Sequence, residues 1–129
     1  MLELTVKTNN HQEIVDITEG VNEIIEKNNI KSGLAHLFVT HTTSALTTAD
    51  LDPGTDLDML DAFDELIPKL DFRHPHDPAH TPDHILSSLI GASLTVPVGN
   101  GQMVLGTWQR IILVEFNGPK ERRIIVSFS

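Results

Sequence analysis

The chain of 129 residues contains no cysteine. Disulfides, thiolate zinc sites and cysteine nucleophiles are therefore excluded, and any metal must be held by His, Asp or Glu. No apolar run approaches the roughly 20 residues that cross a bilayer. The first ten residues, MLELTVKTNN, have neither the basic start nor the apolar core of a signal peptide, so we expect a cytoplasmic protein.

Basic residues are scarce. Nine Lys and Arg stand against 18 Asp and Glu, which gives a net charge of -9. This balance argues against a nucleic-acid partner, because phosphate binding needs a basic face. Ten of the acids lie in residues 50–83, and we interpret most of them as a solvated helix face. The sequence contains no phosphate loop, dinucleotide fingerprint or G-x-S-x-G elbow.

Apolar residues make up 40% of the chain, which suits one globular domain covering residues 1–129. The pattern predicts an α+β fold with antiparallel or mixed β-sheets in a sandwich-like arrangement and two to three helices. The predicted strands cover residues 2–8, 13–17, 34–40, 93–98, 102–105, 107–116 and 123–128, and the predicted helices cover 18–28, 57–67 and 84–90.

Four of the seven histidines lie in one stretch, HPHDPAHTPDH, at residues 74–84. Histidine is a common zinc ligand and titrates near neutral pH. His80 and His84 are four residues apart, which puts two ligands on one face of a helix. However, Pro82 is expected at the first helical position, so His80 would lie just outside the helix. We interpret His76 and His11 as solvated residues.

His41 lies at the end of an apolar strand, where a rigid element meets a loop. Thr42, Thr43 and Ser44 follow it, and their hydroxyls and backbone donors could bind an anion or the groups around a metal. A capped strand end explains the same residues equally well. His36, in the middle of the strand, is expected to be packed.

A third candidate is the LGTWQ segment at residues 105–109. A single Trp on a strand usually belongs to a core or a subunit interface, whereas the adjacent Gly106 suggests close approach of a backbone or ligand to Trp108. Glu115 is the only acid in the apolar strand that follows. A carboxylate there must be paired, hydrogen-bonded or bound to a metal, so it could act as a base or orient a histidine.

Seven segments of the chain form an ordered pattern, in which the combination of HTTSALT with LGTWQ is the most specific part. They are residues 41–47, 52–53, 72–74, 83–85, 91–93, 105–109 and 115–119. In this order and over nearly the whole chain, they resemble the YjbQ-like family.

The resemblance implies a compact α+β fold that assembles as a homotrimer, with sites near subunit contacts. Members are commonly described as a secondary thiamine-phosphate synthase, which joins hydroxymethylpyrimidine diphosphate to a thiazole phosphate and releases diphosphate. His41, His74 and His84 match family histidines and are carried over as metal ligands or catalytic residues. The family commonly has an asparagine near the position of His80, and its loop differs from HPHDPAH, so the substrate range is open.

Three hypotheses follow. In the first, the chain is an enzyme whose three matched histidines hold a divalent metal, with zinc favoured by imidazole-only ligation. The second is a non-catalytic trimeric protein that binds a metal or small anion, and the third is a metal-dependent hydrolase of a phosphorylated metabolite. In the first, Arg73 or Arg110 would offset the charge of a diphosphate. The assigned residues are His41 and Glu115 as catalytic, His41, His74 and His84 as metal ligands, and Thr42, Thr43, Ser44, His80, Trp108 and Gln109 as substrate-binding.

Overall fold

The computed structural model describes residues 1–129 and contains eight strands and three α-helices. The strands are β1 (Leu2–Lys7), β2 (Glu13–Asp16), β3 (Gly33–Val39), β4 (Ser44–Ala49), β5 (Ser93–Gly99), β6 (Gln102–Met103), β7 (Arg110–Glu115) and β8 (Glu121–Phe128). The helices are α1 (Thr18–Lys27), α2 (Thr55–Leu66) and α3 (Thr81–Ile90), with a short 3-10 helix, Pro78–His80, before α3. None of the helices is long and apolar enough to cross a membrane.

The strands form two antiparallel sheets. The larger has the order β1-β8-β3-β5-β6, and the smaller has the order β2-β7-β4. The α+β class, the antiparallel sheets and the three helices are therefore as predicted. Residues 40–43 carry the chain from β3 in the larger sheet to β4 in the smaller one.

Strand β7 lies at the centre of the smaller sheet and is covered on both faces. Ile111 and Leu113 point into the main core with the inner face of the larger sheet and α1. Ile112 and Val114 belong to a second core, against which residues of α2 and α3 pack. All four side chains are fully buried, and each contributes about 1.5–3 kcal/mol by leaving water.

The structure corrects three details of the predicted strands. Residues 44–49 form β4, for which no strand was predicted. Strand β7 begins at Arg110 rather than at Thr107, because Gly106 and Gln109 close a turn through a backbone hydrogen bond of 3.1 Å. Strand β6 has only two residues.

The register of β4 on β7 determines which residues can meet. Ser44 lies opposite Glu115 at one end of the pair, and Ala49 lies opposite Arg110 at the other. Five residue-to-residue steps along the strand separate these ends, roughly 17 Å at about 3.4 Å per step. Side chains that flank opposite ends of β7 therefore belong to different parts of one chain's surface.

Candidate functional site

His74 and His84 form a close pair. Their rings are stacked with centroids 5.0 Å apart and an interplanar angle of 16°, and their Nε2 atoms are 3.2 Å apart. His84 lies in the first turn of α3, and His74 lies in the loop that precedes the 3-10 helix. The structure thus brings together two of the three histidines matched by the family resemblance.

The hydrogen bonds of the pair indicate where the protons lie. His84 Nδ1 is 3.1 Å from the carbonyl oxygen of Thr42, which can only accept, so His84 donates from Nδ1 and leaves Nε2 with a free lone pair. His74 Nδ1 faces the backbone N–H groups of His76 and Asp77, at 3.3 and 3.4 Å, and accepts from them. His74 then donates from Nε2 to His84.

His41 is held in place by hydrogen bonds with Thr43, two residues later in the chain. The backbone N–H of Thr43 donates to His41 Nδ1 at 3.1 Å, and the Thr43 hydroxyl lies 3.0 Å from the same atom. Partial burial, and next the positive charge of Arg122, lower the pKa of His41 below 6.5. The neutral imidazole therefore carries its proton on Nε2, where it is a hydrogen-bond donor.

A buried ion pair supports Thr43. Arg122 donates to both carboxylate oxygens of Glu115, and its Nη2 donates to the Thr43 hydroxyl at 2.9 Å. Thr8 also donates to Glu115, at 2.7 Å. Although burial opposes ionisation, the bonds from Arg122 and Thr8 hold the pKa of Glu115 below its usual 4.5.

This arrangement bears on the two roles predicted for Glu115, a base or an orienter of a histidine. The side chain is fully buried and both oxygens accept hydrogen bonds from protein donors, so it has no path to a substrate proton. A general base must come within hydrogen-bond reach of its substrate. The contacts of Glu115 fit the second predicted role, because they connect it to His41 through Arg122 and Thr43.

Arg122 received no role in the sequence analysis. Arg122, Ile124 and Val126 occupy every second position of β8, and all three are buried. That period of two is the signal that could have placed Arg122 on the inner face of the sheet. A buried arginine then requires a carboxylate partner, and Glu115 is the buried acid.

A cavity of about 520 Å³ opens beside His41. Its polar lining consists largely of hydroxyl groups. Ser44 Oγ is buried and has no hydrogen-bond partner within the chain. The hydroxyl residues of the lining are Thr40, Thr42, Ser44, Ser87 and Ser88. Hydroxyls together with the His41 Nε2–H can donate to the oxygens of a small anion.

The predicted metal set fits this geometry only in part. Two imidazoles on a tetrahedral zinc ion lie roughly 3.3 Å apart at their nitrogens, close to the 3.2 Å between His74 and His84. His84 already has its donor on Nδ1, as a ligand through Nε2 requires. To bind a metal through Nε2, His74 would have to carry its proton on Nδ1 and give up the two long hydrogen bonds from the backbone of His76 and Asp77. His41 Nδ1 is occupied by Thr43, and no group of three or more His, Cys, Asp or Glu is arranged to hold a metal.

The remaining predicted substrate contacts lie elsewhere in the chain. His80 is 3.2 Å from Asp77 and lines a different cavity, which it shares with Asp83. Burial raises the pKa of the Asp83 carboxyl. Trp108, 70% exposed, and Gln109 flank the Arg110 end of β7, so the register places them far from His41 within one chain.

The two arginines considered for binding a diphosphate, Arg73 and Arg110, do not lie together. Arg110 donates to Asp16 at 2.7 Å and to Glu19, at the end of β7 away from the histidines. Arg73 is exposed beside His74. Of the two, only Arg73 is close in sequence to the histidine pair.

Comparison with known proteins gives consistent matches. The family described as "UPF0047 protein YjbQ-like" matches residues 2–129. A UPF0047 protein of Archaeoglobus fulgidus is 38% identical over 126 residues, covering 97% of this chain and 98% of that protein. UPF0047 protein YugU of Bacillus subtilis is 40% identical over 120 residues, covering 92% and 91%.

Solved structures agree with these matches. An uncharacterised conserved protein of the YjbQ/UPF0047 family from Clostridium acetobutylicum superposes with a TM-score of 0.90 at 34% identity, covering 100% of both chains. A hypothetical protein from Aeropyrum pernix gives 0.90 at 32% identity, covering 98% of this chain and 96% of that one.

Proposed function

This chain belongs to the YjbQ-like UPF0047 family, and from that premise we propose that it is a metal-dependent enzyme acting on a small phosphorylated metabolite. The observation that carries the proposal is the neutral His41, whose Nδ1 is occupied by Thr43 and which lines a cavity together with several hydroxyl residues. In this role His41 binds a phosphate oxygen and stabilises the negative charge that develops on it.

A network of hydrogen bonds supports His41. The Glu115–Arg122 pair and Thr43 hold the imidazole in one tautomer, so the donor needs no reorganisation when charge develops. Thr42 and Ser44 add donors to the same anion. The overall charge of -9 disfavours a diphosphate, so the positive potential must be local.

We propose that His74 and His84 hold a divalent cation, with zinc as the first candidate. The 3.2 Å between their Nε2 atoms and the bond from His84 to the Thr42 carbonyl support this assignment. When bound, such an ion supplies positive charge next to phosphate oxygens. His41 is omitted from the ligand set, because the Thr43 N–H occupies its Nδ1.

Metal content separates these assignments. Elemental analysis of purified protein should find metal, and His84→Ala and His74→Ala should lose most of it. His41→Gln and the exposed-loop control His76→Ala should retain it. Loss in His41→Gln but not in His84→Ala would contradict the ligand set.

The first reaction to assay is the one implied by the family, the joining of hydroxymethylpyrimidine diphosphate to thiazole phosphate with release of diphosphate. His41→Gln should reduce the rate by on the order of 100-fold or more, whereas His76→Ala should not. No product above background, with or without a chelator, would reject the synthase reaction.

The same preparations distinguish the alternatives. Phosphate release from a panel of phosphorylated metabolites that depends on His41 would indicate a hydrolase. Saturable phosphate binding without turnover of any substrate would indicate a non-catalytic anion-binding protein.

We further propose a homotrimer with its sites near subunit contacts. Leu34 and Phe38 project from the outer face of the larger sheet and are 41% and 49% exposed, and Phe38 also lines the cavity beside His41. Exposed apolar groups of this size favour a protein contact. Light scattering after size exclusion should give three times the mass of the chain, and Phe38→Lys should lower it.

A further inference from the structure

A second cavity, of about 580 Å³, lies between α2, the loop after it and the start of α3. It shares no lining residue with the cavity beside His41. Its volume falls in the range of small-molecule sites. Neither the proposed phosphate chemistry nor the histidine pair uses it.

The polar feature of this cavity is the carboxylate of Asp83. The residue is only 8% exposed, and no side chain or backbone group of the chain donates a hydrogen bond to its carboxylate. The other acid of the lining, Asp64, accepts a hydrogen bond from Gln12 at 2.9 Å. Burial removes part of the hydration of this carboxylate, but its oxygens stay open to the cavity, because they are not sealed from solvent as Ser44 Oγ is. Because Asp83 lines the cavity, a ligand placed there can supply the missing donor.

The other lining residues indicate the charge and the apolar character of a ligand that would fit the cavity. Phe63, Leu70 and Phe72 form apolar wall, and Leu70 is 65% exposed at the rim. The lining contains two carboxylates, those of Asp64 and Asp83, and one ammonium group, that of Lys69. An anion is therefore disfavoured, and a cation with an apolar body complements both the charge and the walls.

We propose that this cavity binds a small primary amine with an apolar or aromatic body, whose ammonium group donates to Asp83 and whose body packs against Phe63, Leu70 and Phe72. The carboxylate gains a charge-assisted hydrogen bond. The exposed leucine at the rim gains a partner on its apolar surface.

The test uses benzylamine as the probe, with benzyl alcohol and benzoate as neutral and anionic counterparts, in NMR titrations of the full chain at neutral pH. Benzylamine should bind saturably with a Kd on the order of 1 mM or below and shift resonances of His11 and Phe72. Benzyl alcohol and benzoate should each bind at least about tenfold more weakly.

Asp83→Asn should weaken the binding of benzylamine about tenfold or more. The control Asp71→Asn removes the same charge from an exposed position outside the cavity, and it should leave the Kd of benzylamine within about twofold. If Asp83→Asn does not fold, the exposed Leu70 provides a second pair. Leu70→Lys should bind benzylamine on the order of threefold or more weaker than Leu70→Gln. Absence of saturable binding, equal affinity for the alcohol, or identical Kd values for Leu70→Lys and Leu70→Gln would overturn the proposal.

Discussion

Each end of β7 contributes one partner to a contact between an arginine and a carboxylate, but the two contacts have opposite surroundings. At one end Arg122 contacts Glu115 with side chains 1% and 0% exposed. At the other, Arg110 contacts Asp16 and Glu19 with side chains 34%, 33% and 72% exposed. The same chemical pair can thus hold a histidine in one tautomer or only connect surface elements, and burial decides which.

The largest expected effect is that of Glu115→Gln. The amide keeps the shape of the side chain but leaves Arg122 as an uncompensated buried charge, so the free energy of unfolding should fall by about 3–5 kcal/mol. Urea unfolding at a fixed protein concentration measures it. Asp16→Asn is the matched control at the exposed end, and an equal loss there would remove the distinction between the two ends.

Thr43→Val should have the next largest effect. It removes the hydroxyl that accepts from Arg122 and lies 3.0 Å from His41 Nδ1, at a cost of about 1–3 kcal/mol because a buried donor loses its partner. Thr43→Ser keeps the hydroxyl and should retain the ligand affinity of the site. If Val and Ser variants have equal stability, the hydroxyl does not connect the ion pair to His41.

Arg110→Gln should change stability by less than about 1 kcal/mol, because solvent screens the pair and two long side chains lose freedom in it. What remains of the effect should decrease in high salt. Urea unfolding at low and high ionic strength measures both. A loss comparable to that of Glu115→Gln would show that exposure is not what separates the two arginines.

The smallest effect concerns His41, which is itself partly exposed. Its pKa is lowered in the folded chain, so its contribution to stability is fully present above pH 6.5 and is lost as the pH falls below that value. NMR titration should give a pKa below 6.5 and, at neutral pH, a proton on Nε2. A proton on Nδ1 would contradict the tautomer set by Thr43.

The class of fold and the set of three histidines, of which the structure brings His74 and His84 together, were predicted from different kinds of signal. Apolar periodicity indicated most strands and helices, whereas the histidines were selected by a family resemblance. Strand β4 escaped because SALTTA lacks a clear alternation, and its strand conformation comes from pairing with β7. The separation of Trp108 from His41 is a consequence of strand register, which periodicity along one strand does not specify.

Because β7 is covered on both faces, the loss of either covering layer exposes side chains that are fully buried in the folded chain. Peeling α2 and α3 away exposes Ile112 and Val114, and opening the larger sheet exposes Ile111 and Leu113. Amide hydrogens of β7 should therefore exchange with solvent only in global unfolding. His41, in the connection that leads into β4, is thus next to the part of the chain that opens last, whereas His74 and His84 belong to the layer that packs against it.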